Sequence, residues 1–124
     1  FTGLLIGRGQ ADRPFKIHQQ EGNDVVTAQN TIAPGGSSGW HSHPGTVVII
    51  VQAGAFTLFS ERVTGGKCIA RTYSAGQVYL EQPGDEQYAI NYGTVPAVLA
   101  VTFFNVPHGG SNRIERTDPG NCPE

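Results

Sequence analysis

The feature that most constrains this chain is how often clusters of turn residues interrupt it. Ala33-Pro-Gly-Gly-Ser-Ser-Gly39, Ala53-Gly54, Thr64-Gly-Gly66, Ala75-Gly76, Pro83-Gly-Asp85 and Asn91-Tyr-Gly93 break the sequence into short pieces. Glycine tolerates positive φ, proline presets the first turn torsion, and Asn and Asp bond back to their own backbone, so such clusters reverse the chain. No segment between them sustains a helical period, and several are rich in Val, Ile, Thr, Tyr and Phe, the residues that suit a pleated surface. The pattern predicts strands at Leu4–Ile6, Phe15–His18, Asp24–Ile32, Trp40–His43, Thr46–Gln52, Ala55–Ser60, Cys68–Tyr73, Gln77–Glu81, Gln87–Asn91 and Val95–Phe104. About ten short strands at this spacing argue for an all-β closed barrel or double-sheet jelly roll, both of which limit exposed edges.

The 124 residues suit one domain spanning 1–124, with 107–124 as a polar, turn-rich tail expected to lie extended over the surface. At 38% hydrophobic and 15% charged, the composition is that of a folded globule. A formal charge of -2 with no Lys/Arg cluster gives no footprint for nucleic acid or an anionic membrane. The longest apolar stretches, Val47–Val51 and Ala97–Val101, are too short to span a bilayer. The chain begins at Phe1 and holds no Met, which fits removal of a secretory signal peptide and an extracytoplasmic location. Cys68 and Cys122 form an even pair, expected to join as a disulfide in an oxidising compartment and to pin the tail. The alternative is two unrelated buried thiols. Neither lies in a spacing suited to a metal.

The sharpest chemical feature is Gly39-Trp-His-Ser-His-Pro44. Side chains alternate along a strand, so His41 and His43 share a face about 6–7 Å apart while Trp40 and Ser42 point the other way. Two imidazoles on one face can converge on a single ion, and imidazole suits Zn, Cu, Fe and Ni. The plainer alternative is a pair of polar residues on a half-exposed strand.

Here the sequence resembles the cupin superfamily, whose first motif reads Gly-x5-His-x-His-x3,4-Glu-x6-Gly. Gly35, His41, His43 and Gly54 fall at its spacings, and Gly76, Gly84 and Asn91 align with the second motif, Gly-x5-Pro-x-Gly-x2-His-x3-Asn. The resemblance implies a cupin-type double-stranded β-helix, or jelly-roll barrel, with His41, His43 and residue 87 pointing inward. It implies one divalent transition metal ion (Cu, Fe, Ni, Mn or Zn) on His41, His43 and Gln87, and a small-molecule substrate, with dioxygenase-like or isomerase-like chemistry. It also implies pairing as a homodimer. The chain departs from the motifs at three places. Val47, or Val48 with the longer spacing, stands where Glu is expected, Gln87 where the third His is expected, and Gln82 where Pro is expected. Two His and one Gln leave a divalent charge uncompensated. Waters, an anionic substrate or a relocated carboxylate would supply the balance. Glu81 and Glu86 are the nearest carboxylates, and Glu86 should face away from residue 87 in a regular strand. The competing reading is a non-catalytic secreted cupin that binds a small ligand, or serves as structure, without a functional metal.

Other residues read as structural. His18 groups with Lys16 on a solvated face, His108 lies in the tail, and Asn91 precedes a turn. Tyr79, Tyr88 and Trp40 suit packing as well as a pocket wall. Ser37, Ser38 and Ser42 flank the histidines without an orienting acid, and Gly7-Arg-Gly9 lacks the helix of a phosphate loop.

Overall fold

The structure is a computed structural model that describes residues 1–61 and 67–122. The expected turn at Thr64-Gly-Gly66 lies outside the described residues. Nine strands are present among those described: β1 (Asp24–Ile32), β2 (His41–Ser42), β3 (Val47–Ala53), β4 (Ala55–Glu61), β5 (Cys68–Ser74), β6 (Val78–Glu81), β7 (Glu86–Ile90), β8 (Ala97–Val106) and β9 (Ile114–Glu115). They form two antiparallel sheets, one ordered β1-β8-β3-β6 and the other β5-β4-β7-β2-β9, in a jelly-roll arrangement. Among the described residues no helix is long and apolar enough to cross a membrane.

Alternation explains the core. In β3, Val47, Ile49 and Val51 point inward while Val48 and Ile50 are half-buried. They meet Phe56 and Leu58 of β4 and Ala89 of β7 from the opposite sheet. Each such side chain contributes roughly 1.5–3 kcal/mol on burial. The chain passes from β3 in one sheet to β4 in the other at Gly54, whose φ is 73°. A Cβ there would collide with the Pro96 carbonyl oxygen, so glycine is required twice over. Asn91 has the turn role expected of it. Its Nδ2 donates to the carbonyls of Ile32 and Val95, and its Oδ1 accepts from Gly93 N.

The expected strands at Leu4–Ile6 and Phe15–His18 do not form. Residues 1–23 instead run as a strap outside the sheets. Gly7 packs on Ile50 and Ala100, and Gln10 makes a lone bridge to Gln77. Asn105 at the end of β8 then ties down His18, Gln19 and Gln20. His18 is exposed, as expected.

The tail returns to the barrel. Ile114–Glu115 adds a strand to β2, and Cys122 is bonded to Cys68 at the start of β5, with 5.4 Å between the Cα atoms. The disulfide therefore pins the tail as the sequence suggests. His108 is exposed and pairs with Asp24 at 2.9 Å.

Candidate metal centre

Strand β2 sits between β7 and β9, and His41 pairs with Gln87 of β7 in register. Its alternation sends the histidines inward and Ser42 outward, where Ser42 Oγ accepts from Arg116 Nε at 2.9 Å. Trp40 packs against Tyr88 at 5.6 Å. His41 and His43 are both buried, with ring centroids 4.8 Å apart.

Each imidazole is held by a backbone carbonyl. His41 Nδ1 donates to Gly39 O at 3.0 Å, and His43 Nδ1 donates to Asn112 O at 2.6 Å. A carbonyl can only accept, so both protons are fixed on Nδ1 and both Nε2 atoms are turned toward the interior.

Facing them is Glu81, buried at the end of β6. It lies directly across the ladder from Val47, the position at which the sequence lacks a carboxylate. Glu81 Oε2 is 2.8 Å from His43 Nε2. Gln87, also buried, is oriented by this carboxylate. With its amide nitrogen toward Glu81 it donates to Oε1 at 2.9 Å and Oε2 at 2.5 Å, whereas the reverse orientation would set oxygen against oxygen. Burial holds the Tyr79 phenol well above its usual range, and the neighbouring Glu81 charge adds to the shift. One ligand atom from each of His41, His43 and Glu81 lies within 4.8 Å of the others. Glu86 is on the opposite face of β7 from Gln87, as alternation requires.

The two histidines differ electrostatically. Burial lowers the His41 pKa below 6.5, beyond what the Gly39 carbonyl and the Glu81 charge restore. Burial also depresses His43, but the Glu81 hydrogen bond and charge, with the Asn112 carbonyl, outweigh it and raise His43 above 6.5. Both nitrogens of His43 face acceptors, the signature of an imidazolium paired with a carboxylate.

The group opens into a cavity of about 460 Å³ between the sheets, walled by Val47, Leu99 and Phe103. Arg113 lies at its rim, donating to Ser38 O at 2.7 Å and pairing with Glu115. Ser38 itself is occupied by Gly39 O and Ala89 N, so it is no nucleophile. Asn112 and Arg113 escaped the sequence reading because nothing local in the tail signals its return to the barrel mouth. Tyr79 was read as packing, and only its contact with Glu81 gives it a polar role.

The sequence signature of the cupin domain matches residues 29–104. An oxalate oxidase structure is similar over 93% of this chain and 62% of its own, with 23% identity and a TM-score of 0.65. A variant of Bacillus subtilis oxalate decarboxylase aligns with 75% of this chain and 24% of its own, at 20% identity and a TM-score of 0.65. Peruvianin-I, a cysteine peptidase from Thevetia peruviana latex, aligns with 67% of this chain and 52% of its own, at 18% identity and a TM-score of 0.59. This chain thus spans from about a quarter to about three-fifths of these proteins. At such identities the likeness is one of fold. No curated protein sequence matches.

Proposed function

The chain belongs to the cupin family, and from that premise we propose that it binds one divalent transition metal ion on His41, His43 and Glu81 and acts on a small organic molecule in the adjoining cavity. The observation that carries this reading is the convergence of three buried ligand atoms within 4.8 Å, with both imidazoles anchored through Nδ1. Two imidazoles and a carboxylate suit Mn, Fe, Cu, Ni or Zn and leave coordination positions open. Mn(II) centres are present in the structurally similar Bacillus subtilis oxalate decarboxylase. When bound, such an ion would supply Lewis-acid or redox chemistry to a ligand in the cavity.

The chain's own residues do the rest. Glu81 would neutralise one of the two positive charges of a bound ion, and His43 would hold it as the neutral imidazole, its Nε2 proton released to solvent. Gln87 holds the carboxylate in place, which is how Gln87 enters this reading. The apolar walls exclude water from the bound molecule.

A second reading is favoured by one observation. The His43–Glu81 pair is complete without an ion, with Gln87 satisfying the carboxylate. On that reading the protein is a metal-free module that binds a small ligand. Metal analysis of tag-free protein after reconstitution with each candidate ion separates the two. About one equivalent per chain, lost in His41→Ala and in Glu81→Ala, supports the centre. No uptake of any ion would leave the metal-free reading.

A further inference from the structure

Strands β5 and β6 are edges of different sheets, and no ladder joins them, so the barrel has a seam on that side. The strap of residues 11–16 crosses this seam and roofs a second cavity of about 650 Å³. Its floor is Leu58 of β4 and Tyr73 of β5, and Phe15 lines it from the strap. Tyr73 is stacked on Tyr79 at 4.2 Å with 16° between the planes, which holds its ring rigid. The volume falls in the range of small-molecule sites, and Phe15, Tyr73 and Tyr79 give an otherwise largely polar lining an aromatic face.

The charges facing this cavity are unequal. Arg13, Lys16 and Arg71 line it against Asp12 and Asp85. Asp12 is paired with Arg13 at 3.2 Å. Lys16 and Arg71 have no ion-pair partner among the described residues. Arg71 acts on Asp12 and Tyr73 only at longer range.

We propose that the seam cavity is a second binding site, distinct from the histidine centre, for a small aromatic carboxylate. Arg71, on the same face of β5 as Tyr73, presents a planar fork that matches a carboxylate, and Lys16 closes on it from the strap. The flat apolar body lies between Tyr73 and Phe15. Tyr79 lines both this cavity and the first, so the two sites are neighbours. The proposal holds whether or not an ion occupies the histidine centre.

Benzoate is the probe, titrated by calorimetry and by amide chemical shifts. Saturable binding is expected, weakened at least about tenfold in Arg71→Ala and in Lys16→Ala, and weakened as much for the neutral isostere benzyl alcohol. Both side chains sit at the cavity rim, and unchanged circular dichroism and thermal midpoint establish that the variants are folded. Binding to His41→Gln is expected within about twofold of the parent, since that residue lines only the first cavity. Absence of saturation overturns the proposal. So does binding indifferent to Arg71→Ala and abolished by His41→Gln, which would place benzoate at the histidine centre.

Discussion

Val47 and Glu81 face one another across the antiparallel β3–β6 ladder, and both side chains are buried in the interior. The first cupin motif expects a carboxylate at the Val47 position. Here the acid stands on the neighbouring strand instead, at a site that cross-strand geometry places roughly 5 Å away. The candidate centre thus has its carboxylate beside the motif position rather than at it.

That displacement can be tested by reversing it. Glu81→Val is expected to weaken metal binding by more than about 100-fold, since it removes a ligand rather than a supporting group. It should also cost about 3 kcal/mol by stranding His43 without its acid. The double variant Val47→Glu/Glu81→Val should recover much of the metal affinity, and Val47→Glu alone should destabilise the metal-free protein by crowding two carboxylates. Calorimetric titration with Mn(II) and Zn(II), with thermal unfolding in chelator, measures all three.

The histidines give the metal-free protein a stability maximum near the unfolded histidine value of 6.5. His43 is raised in the fold, so its contribution is fully present below 6.5 and is lost as pH climbs through its folded pKa. His41 is lowered, so below 6.5 the unfolded chain binds more protons and stability drops as pH is lowered, until the folded His41 also titrates. Thermal midpoints in chelator across pH 4–9 should rise and then fall. His43→Gln should flatten the upper limb and His41→Gln the lower one. Metal affinity follows a different course, falling steadily as pH drops through the raised His43 pKa, because the proton and the ion compete for Nε2.

Reduction of Cys68–Cys122 should reach the centre through the tail. The bond closes a sequence separation of 54, for which chain entropy gives about 4 kcal/mol. The thermal midpoint should drop by roughly 10–20 °C on reduction. The freed tail also carries Asn112, whose carbonyl orients His43, and β9, which pairs with β2. Metal affinity is expected to weaken by about tenfold in protein reduced and alkylated below its melting point. Unchanged affinity would mean that the tail stays docked without its tether.

Much of this was legible locally, and what was not depends on register. Val47, Ile49 and Val51 announce their shared face by alternation, and Gly54 and Asn91 announce their turns by chemistry that needs no partner. His41 and His43 were legible for the same reason. Leu4–Ile6 and Phe15–His18 have apolar side chains of the right kind, but a strand exists only where a ladder partner is available, and their segment runs outside both sheets. Ile114–Glu115 shows the converse, a two-residue strand in a turn-rich tail that forms because β2 offers it a free edge. Glu81 could be named as a nearby acid, yet only its pairing with Val47 brings it to His43.

The role of Gln87 is decided by a double-mutant cycle. Gln87 is buried, and its amide nitrogen lies against both oxygens of Glu81, which points to a residue acting through the carboxylate. Gln87→Met keeps the length and removes the donor, so Glu81 loses a partner and metal affinity should fall by about 10–100-fold. In a Glu81→Ala background there is no carboxylate to position, and the same substitution should then change affinity by less than about twofold. A ligand role predicts otherwise, because an amide oxygen bound directly to the ion would cost about as much to remove with Glu81 absent as with it present. The coupling between the two substitutions, measured with one metal at one pH, therefore separates support from ligation at residue 87.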